Sequence, residues 1–434
     1  MTDLSFLLAD FRCRCEKVAA SLKSGMMLRA DRFLPWMNLR LIVTAALSLF
    51  FFVPAAFVPV GRAAEPVEIR IAYLSRQPPP PPLYEIDPVP EDEGLAGGQL
   101  GIRDNNTTGT FTGHRYVLQE AWLEDGEDPV AKAKALAADR IGFIALNLPA
   151  DEMVAVADAL KGEDVVLFNV GAADDRLRAE SCRANVLHIA PSHAMVTDAL
   201  AQFLAFKRWR KIMLVVGPQP ADKLYAEAMK RAARKFGLIV SAEKPWEFGP
   251  LARAKGDSPT TADALVFTRG VDYDVAVVAD VAGDFGDYLA YRTWDPRLVA
   301  GTQGLVPTSW HPTLEVWGAA QAQTRFRRTN NRLMRPLDYQ LWMAVRAIGD
   351  AVTQTKQTGA AAVKARLLDP AFGLPAYKGV PLSFRPWDQQ LRQPLLIVQP
   401  KALVSVAPER GFLHQRTPLD TLGIDEPETA CKFS

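Results

Sequence analysis

The stretch Lys211-Ile-Met-Leu-Val-Val216 decides the fold, because it is an unbroken apolar strand followed by a helix and another strand. The helix is predicted over 220–236, is closed by Gly237, and leads into a strand over 238–243. A strand without polar alternation is expected where helices cover both faces of a parallel sheet. This unit therefore predicts a parallel sheet with helices on both sides.

The same alternation of strands and helices extends in both directions along the chain, and it restarts near residue 186. We therefore predict the α/β class with two doubly wound, Rossmann-like lobes and no third domain. Five consecutive prolines at 78–82 predict a rigid surface loop instead of a core element. The other strands are predicted at 67–74, 116–122, 141–146, 165–170, 186–190, 275–279, 298–301, 382–384 and 395–398, and the other helices at 128–138, 149–160, 192–207, 313–325 and 338–355.

An apolar run from Leu41 to Val60 precedes the first predicted strand. Three arginines come before it and Ala63-Ala64 comes after it, which is the layout of a secretory signal with a cleavage point near Ala63 or Ala64. We therefore expect residues 1–64 to be a leader and the remainder to work outside the cytoplasm. The alternative is a retained membrane anchor, since twenty apolar residues suffice to span a bilayer.

The charge balance gives no sign of a nucleic-acid partner. The whole chain has a formal charge of +1 and the first 64 residues carry eight basic and four acidic residues, a net of +4, so the remainder carries −3. A nucleic-acid-binding surface requires a basic excess. The apolar content of 49% and the charged content of 23% are typical of a globular protein.

Two cysteines remain after the leader, Cys182 and Cys431. In an oxidising compartment such a pair predicts a disulfide that links the C-terminus covalently to the middle of the first lobe. The alternative is two free thiols.

No catalytic pattern is apparent. The five histidines are not spaced as metal ligands with a partner glutamate, and neither a phosphate-cradling loop nor a Gly-x-Ser-x-Gly elbow occurs. The acidic stretch 272–287 matches no calcium loop, and we expect its carboxylates to face water. We therefore predict a protein that is not an enzyme, with no metal site and no required cofactor.

Four segments resemble, in order and spacing, the periplasmic substrate-binding components of ABC transporters of the leucine/isoleucine/valine-binding type. The resemblance covers roughly 67–400. It implies the type I periplasmic binding fold, in which three crossovers join two lobes, and a transporter permease as partner. The segments are Gly98-Gln-Leu-Gly-Ile-Arg-Asp-Asn-Asn-Thr-Thr-Gly109, Asp128-Pro-Val-Ala-Lys-Ala-Lys-Ala-Leu136, 200–237 and Tyr377-Lys-Gly-Val-Pro-Leu-Ser-Phe384.

The resemblance also implies domain limits. We expect crossovers near 186–191, 301–307 and 374–381. Lobe 1 then comprises 66–188 plus 305–374, lobe 2 comprises 189–304 plus 375–410, and 411–434 form a C-terminal tail.

Two further stretches, Glu180-Ser-Cys-Arg-Ala-Asn-Val-Leu-His-Ile-Ala-Pro-Ser192 and the segment from Trp310 to Phe326, resemble a subfamily associated with quinoprotein alcohol dehydrogenase systems. This resemblance implies pyrroloquinoline quinone, or a related aromatic acid, as the transported ligand. Amino-acid binders of the family offer hydroxyl groups to the ligand's α-carboxylate from the loop that corresponds to 168–174, and here that loop has no Ser or Thr. The alternatives are amino-acid binding, or a non-transport accessory or sensor role beside a periplasmic quinoprotein dehydrogenase.

Aromatic and basic residues crowd into residues 292–335, a combination that suits a planar polycarboxylate through stacking and bidentate guanidinium contacts. This set is Arg292, Trp294, Trp310, His311, Trp317, Arg325, Arg327, Arg328, Arg332 and Arg335. Within it, Trp317 is expected in the core and 325–335 on a solvated face. The candidate ligand-binding residues follow predicted strand ends, where ligands of open parallel sheets bind; they are Trp310, His311, Gln303, Thr302, Asn169, Gln219, Asp222, Tyr288, Arg292 and Trp294.

Overall fold

The computed structural model describes residues 65–77, 88–247 and 264–433. The apolar run from Leu41 to Val60, the cleavage point at Ala63 or Ala64 and the proline run at 78–82 lie outside these ranges. Within them, none of the helices has the length and apolarity needed to cross a bilayer.

The strands agree closely with the apolar runs of the sequence. In chain order they are β1 (Val67–Arg76), β2 (His114–Leu123), β3 (Phe143–Asn147), β4 (Val166–Asn169), β5 (Val186–His188), β6 (Lys211–Val216), β7 (Ile239–Pro245), β8 (Val275–Ala279), β9 (Leu298–Gly301), β10 (Val306–Thr308), β11 (Ser383–Phe384), β12 (Leu391–Arg392), β13 (Leu395–Gln399) and β14 (Ala402–Ala407).

The helices connect these strands in the way that a parallel sheet requires. They are α1 (Leu95–Thr112), α2 (Pro129–Ala138), α3 (Ala150–Ala159), α4 (His193–Phe206), α5 (Pro220–Phe236), α6 (Ala264–Thr268), α7 (Ala319–Asn330), α8 (Pro336–Thr355) and α9 (Ala360–Leu367).

Two parallel sheets form the framework. The first has the order β2-β1-β3-β4-β5 and the second has the order β7-β6-β8-β9. In β6, Ile212 and Leu214 belong to one hydrophobic cluster, while Met213 and Val215 belong to another on the opposite face. Both faces of the strand are therefore covered, which explains its unbroken apolar sequence. The predicted α/β fold with parallel sheets is confirmed.

A small antiparallel sheet of order β10-β13-β14 lies between the two cores. Leu395 and Ile397 of β13 pack in the core of the second sheet, whereas Leu396 and Val398 pack in the core of the first. Because successive side chains of a strand point to opposite faces, β13 contributes one face to each lobe. We use "first lobe" and "second lobe" for the two parallel sheets with the elements packed in their cores.

The limits that we assigned to the lobes stay a prediction. Ala376, Leu382, Phe384 and Leu391 pack in the hydrophobic cluster of the first lobe, although all four lie in the range 375–410 that we expected in lobe 2. The expected first crossover lies where His188 forms a bridge with Gln390.

One predicted helix was wrong in its position. Of the helix expected over 313–325, residues 313–318 lie outside any helix, and α7 begins only at Ala319. Gly318 at its N-cap and Trp317 before it both have positive φ angles, of 85° and 55°, so the backbone leaves the helical region before α7 starts.

Helix α1, which the sequence did not reveal as a helix, packs along α8. A Cβ atom on Gly97 would lie 1.8 Å from the carbonyl oxygen of Asp338, so the small residue allows the two backbones to approach closely. The side chain of Asn105 donates to the carbonyl of Val345 at 2.8 Å and further joins the two helices.

The predicted disulfide is confirmed. Cys182 and Cys431 are bonded, with their Cα atoms 5.6 Å apart and a separation of 249 positions in sequence. The tail that carries Cys431 crosses the surface of the second lobe, where the backbone N–H of Gly423 donates to Asp198 of α4 at 2.8 Å.

Candidate functional site

A groove with a volume of about 650 Å³ lies between the two lobes, and we call it the central groove. The second lobe contributes Asp287 and 302–304, and the first contributes Pro90 and 332–336. The segment 306–312, which includes β10, and the end of β13 complete the walls. The groove therefore depends on both lobes and on the strands that join them.

Four of the sequence-predicted residues line this groove: Thr302, Gln303, Trp310 and His311. The hydroxyl oxygen of Thr302 accepts the backbone N–H of Asp280 at 2.9 Å, and the amide of Gln303 donates to the carbonyl of Asp280 at 2.9 Å. These bonds hold the loop after β9 against the loop after β8, so both polar side chains have fixed positions at the groove.

Trp310 forms the floor of the groove. Its side chain is only 1% exposed, stacks on Tyr339 with ring centroids 4.5 Å apart, and donates from Nε1 to Gln323 at 3.3 Å. Tyr339 in turn stacks on Trp342, and Trp342 stacks on Tyr377. Trp310 is thus anchored in the first lobe by a continuous column of rings and leaves little of its own ring for a ligand.

His311 is half-buried beside Trp310 and has a defined proton position. Its Nδ1 accepts the backbone N–H of Thr313 at 3.3 Å, and burial lowers its pKa. A neutral imidazole whose Nδ1 is an acceptor carries its proton on Nε2. At neutral pH His311 therefore offers the groove a hydrogen-bond donor without a charge.

Arg332 contributes a guanidinium group that is already paired. It donates to Asp92 at 2.9 Å and forms a two-bond contact with Asp338 at 2.7 and 2.9 Å. Its side chain is 17% exposed, so the expectation of a solvated face was wrong for this residue.

Arg335, three residues later, pairs with Glu93 at 3.2 Å. Burial raises the pKa of Glu93 above its usual range, although Arg335 lies beside it. The central groove therefore has cationic groups in its wall whose charge is largely compensated by carboxylates behind them.

The remaining candidates from the first lobe and from α5 have structural roles. Asn169 is buried and uses its side chain to accept the N–H of Ala172 at 2.9 Å and to donate to the carbonyl of the same residue at 2.8 Å, which shapes the loop after β4. Gln219 and Asp222 cap the start of α5, and Asp222 also accepts the N–H of Val281 at 2.7 Å.

The other three candidates lie on the second lobe outside the central groove. The guanidinium carbon of Arg292 lies 4.1 Å from the ring centroid of Tyr288. Trp294 is 49% exposed and lies under Arg269 at 4.5 Å. Arg292 and Trp294 thus have cation–π partners on the second lobe. Neither they nor Tyr288 line the central groove with Trp310.

The aromatic and basic set predicted between 292 and 335 is divided among several places. Trp317, expected in the core, is 50% exposed instead, because the turn before α7 holds it at the surface. Arg325 lies near it, while Arg327 and Arg328 are exposed on α7. This set therefore does not form one polycarboxylate site.

Carboxylates of the acidic stretch 272–287 accept hydrogen bonds from backbone N–H groups. Asp280 accepts the N–H groups of Asp284, Phe285 and Gly286 at 2.9, 2.8 and 2.6 Å, which closes the loop after β8. Asp274 accepts the N–H of Lys211 at 2.9 Å. Within the described ranges no group of three or more His, Cys, Asp or Glu residues is arranged to hold a metal ion.

The sequence analysis missed the carboxylates that orient the arginines of the groove. Asp92 and Glu93 precede α1 and are about 240 residues from their partners Arg332 and Arg335. Only Asp338 had a local signal, since it follows Pro336 near the start of α8, where a capping carboxylate is common.

Solved structures resemble this fold at low sequence identity. The leucine-, isoleucine-, valine-, threonine- and alanine-binding protein from Brucella ovis, in a closed conformation, superposes with a TM-score of 0.63 at 14% identity, over 86% of this chain and 100% of that one. The branched-chain amino acid transporter substrate-binding protein from Streptococcus pneumoniae, in complex with isoleucine, gives 0.57 at 14% identity, over 78% and 98%.

A solute-binding protein of an ABC transporter from R. palustris, in complex with 4-hydroxybenzoate, superposes with a TM-score of 0.55 at 14% identity, over 78% of this chain and 96% of that one. No curated protein matches the chain at a significant level. The sequence profile of the family described as "Periplasmic binding protein" matches residues 91–403, which is more than half of the chain. This protein therefore belongs to the periplasmic binding protein family.

Proposed function

We propose that this protein is an exported solute receptor that delivers a small ligand to the permease of an ABC transporter. The observation that carries the proposal is the central groove of about 650 Å³, whose walls come from both lobes. Pockets of roughly 300–1,000 Å³ hold small molecules, and a ligand bound between two lobes favours their closure. Binding instead of catalysis is also the role of the structurally similar proteins named above.

The lining favours a ligand with an apolar, flat body and one anionic group. Pro312, Pro336 and Pro400 supply rigid apolar walls, and Leu333 adds an aliphatic one. His311 supplies a neutral donor. We therefore propose an aromatic monocarboxylate as the ligand class, in keeping with the 4-hydroxybenzoate complex of the R. palustris protein.

Pyrroloquinoline quinone, which the subfamily resemblance implies, remains a specific candidate within the aromatic acids. It has three carboxylates, and Arg332 and Arg335 already pair with carboxylates of the chain. Desolvating three ligand charges beside compensated guanidinium groups is costly. We therefore expect a monocarboxylate to bind more tightly than this cofactor.

The experiment is a calorimetric titration of residues 65–434 with 4-hydroxybenzoate, pyrroloquinoline quinone and isoleucine, each in a separate run. We expect saturable binding of 4-hydroxybenzoate in the micromolar range. Small-angle scattering with and without ligand measures closure of the lobes, and a smaller radius of gyration at saturation supports the receptor role. If none of the three compounds gave a heat of binding, aromatic acids and amino acids would both be excluded as ligands.

Two histidine variants provide a matched control. His311→Ala removes the donor in the groove and is expected to weaken binding about tenfold, the equivalent of about 1.4 kcal/mol. His114→Ala changes a histidine at the start of β2, where its ring contacts Thr112, and should leave affinity unchanged. Equal affinities of the two variants would exclude His311 from the site.

The partner is tested separately by affinity capture of the full chain from a membrane extract. Recovery of a permease with its ATPase supports transport. Recovery of a quinoprotein dehydrogenase without a permease favours the accessory or sensor role.

A further inference from the structure

A second groove, with a volume of about 740 Å³, lies on the first lobe, and we call it the outer groove. It is formed by α1, α7, α8 and the segment 373–381, whose buried residues belong to one hydrophobic cluster. The lining residues that matter here are Asp104, Trp317, Arg325, Trp342, Arg346 and Tyr377.

Two aromatic residues of this groove are held in an unusual backbone conformation. Trp317 and Tyr377 both have a φ angle of 55°, in the left-handed region that is uncommon for residues with a side chain. Such conformations cost free energy and are concentrated at functional sites. The Trp317 indole is half-exposed and lines the groove.

Close packing fixes the indole of Trp317 in this position. A Cβ atom on Gly379 would lie 2.6 Å from the indole ring, so the absence of a side chain there allows one side of the ring to pack on the backbone. The ring is 50% exposed, which leaves aromatic surface available at the groove. A fixed and partly exposed indole is a good stacking surface for another flat ring.

The arginines of the groove are paired with carboxylates, but part of the guanidinium group of Arg325 stays exposed to a ligand. Asp104 is the acidic residue of the lining, and it already accepts bonds from Arg325 and from Nε1 of Trp342, the latter at 3.0 Å. Arg325 also donates to the hydroxyl of Tyr377 at 3.0 Å and remains 42% exposed. Arg346 adds a second guanidinium group to the lining, and this group pairs with Asp350 at 2.7 Å.

Helix α7 strengthens this positive potential beyond the groove. Arg327 and Arg328 lie two and three residues after Arg325, are exposed, and form no ion pair with any described residue. Clustered cationic groups raise the local concentration of anions.

We propose that the outer groove is a second binding site, which takes a small aromatic carboxylate whose ring stacks on Trp317 and whose carboxylate pairs with Arg325. The volume suits a small molecule of this class. The site is separate in position from the central groove, although the column of stacked rings from Trp310 to Tyr377 connects the two.

The test is equilibrium dialysis of residues 65–434 against 2-naphthoate, with uncharged 2-naphthamide as the reference compound. We expect Trp317→Ala to weaken naphthoate binding at this site at least tenfold and Trp317→Phe to restore part of it, because a flat ring returns. The control is Trp294→Ala, which removes a tryptophan of equal exposure from the second lobe and should have no effect.

The carboxylate contact is tested with two arginines of the same helix. Arg325→Gln should weaken binding of 2-naphthoate but not of 2-naphthamide, whereas Arg327→Gln, at a residue outside the lining, should weaken binding of 2-naphthoate much less. Circular dichroism checks that each variant is folded, and His311→Ala identifies any binding that belongs to the central groove. Naphthoate binding that is unchanged in both Trp317→Ala and Arg325→Gln would overturn the proposal.

Discussion

Cys431 in the C-terminal tail is bonded to Cys182 in the loop before β5, and this bond closes a strap across both lobes. Before reaching Cys182, the tail contacts the second lobe through Glu428, which lies 3.7 Å from Arg231 of α5. Thr429 then donates to the carbonyl of Arg178 in the first lobe at 3.4 Å. The strap therefore joins the lobes at a place distinct from the strands that connect them.

Loss of this disulfide is expected to lower stability substantially. Replacing both Cys182 and Cys431 by serine in residues 65–434 should reduce the free energy of unfolding by about 2–5 kcal/mol, because the unfolded chain loses a long-range constraint. Urea denaturation measures the change. A reducing agent should shift the wild-type midpoint towards that of the variant and leave the variant itself unaffected; a wild type insensitive to reduction would contradict this prediction.

A buried ion cluster fastens the tail to the strands β11 and β12. Asp420 accepts from Nε of Arg385 at 2.9 Å and from Nε of Arg392 at 2.8 Å, and Asp420 and Arg385 are almost fully buried. Asp420→Asn removes the charge while preserving the shape; it takes the carboxylate away from Arg392 and leaves Arg385 with Asp388 at 3.7 Å as its remaining acidic partner among the described residues. We expect a loss of about 3–5 kcal/mol in the free energy of unfolding.

The control for Asp420→Asn is an exposed ion pair in the same tail. Arg416 pairs with Glu426, and both side chains are about half-exposed. Arg416→Gln should change stability by less than about 1 kcal/mol, because water screens exposed pairs. Similar urea midpoints for the two variants would show that burial does not determine the contribution of these charges.

The strands of the framework could be predicted because they carry their own signal. β6 is apolar on every residue from Ile212 to Val216, and the structure covers both of its faces. Helix α1 gave no such signal, since glycine, asparagine and threonine are weak helix formers. Its helical state depends on packing against α8, which follows it by more than 200 residues in the chain.

Part of the central groove could also be predicted, because strands carry a signal in the sequence. Thr302 and Gln303 directly follow β9, which the sequence predicted, and this position pointed to a cleft. Trp310 follows β10, a strand that the sequence did not predict. The pairing of Arg335 with Glu93 could not be inferred, because a salt bridge between residues 242 positions apart leaves no local pattern.

The contact between α1 and α8 predicts a large effect of a small substitution. In Gly97→Ala the new methyl group would lie 1.8 Å from the carbonyl oxygen of Asp338, which is part of a helix backbone and cannot rotate away. The overlap should cost about 3 kcal/mol, and the better helix propensity of alanine offsets about 1 kcal/mol. Thermal and urea denaturation should therefore show a net loss of roughly 2 kcal/mol.

Gly142→Ala is the matched control for this substitution. A Cβ atom at Gly142 would meet Ala360 at 3.4 Å, an ordinary van der Waals distance. Its effect should stay within about 0.5 kcal/mol, or be slightly stabilising, because alanine restricts the unfolded chain. A Gly97→Ala protein as stable as Gly142→Ala would mean that the helices can separate without cost.

The ammonium group of Lys378 predicts a pH dependence of stability. This side chain is buried, its Nζ donates to the carbonyls of Ser309 and Pro394, the latter at 3.2 Å, and it lies 5.3 Å from the ring centroid of Tyr339. Burial lowers its pKa from 10.5 to about 7. The same burial keeps Tyr339 neutral, since its pKa is raised well above 10.

The pKa of Lys378 is about 7 in the folded protein and 10.5 in the unfolded chain. Between these pH values the unfolded chain keeps a proton on Lys378 that the folded protein has released. Raising the pH in this range therefore destabilises the unfolded state relative to the folded state. The free energy of unfolding should rise by up to about 1.4 kcal/mol per pH unit from about pH 7 towards pH 10, relative to Lys378→Met. Below pH 7 both states are protonated and this contribution becomes constant. Urea denaturation of both proteins at several pH values measures the difference, and parallel curves for the two would show that Lys378 remains charged in the folded state.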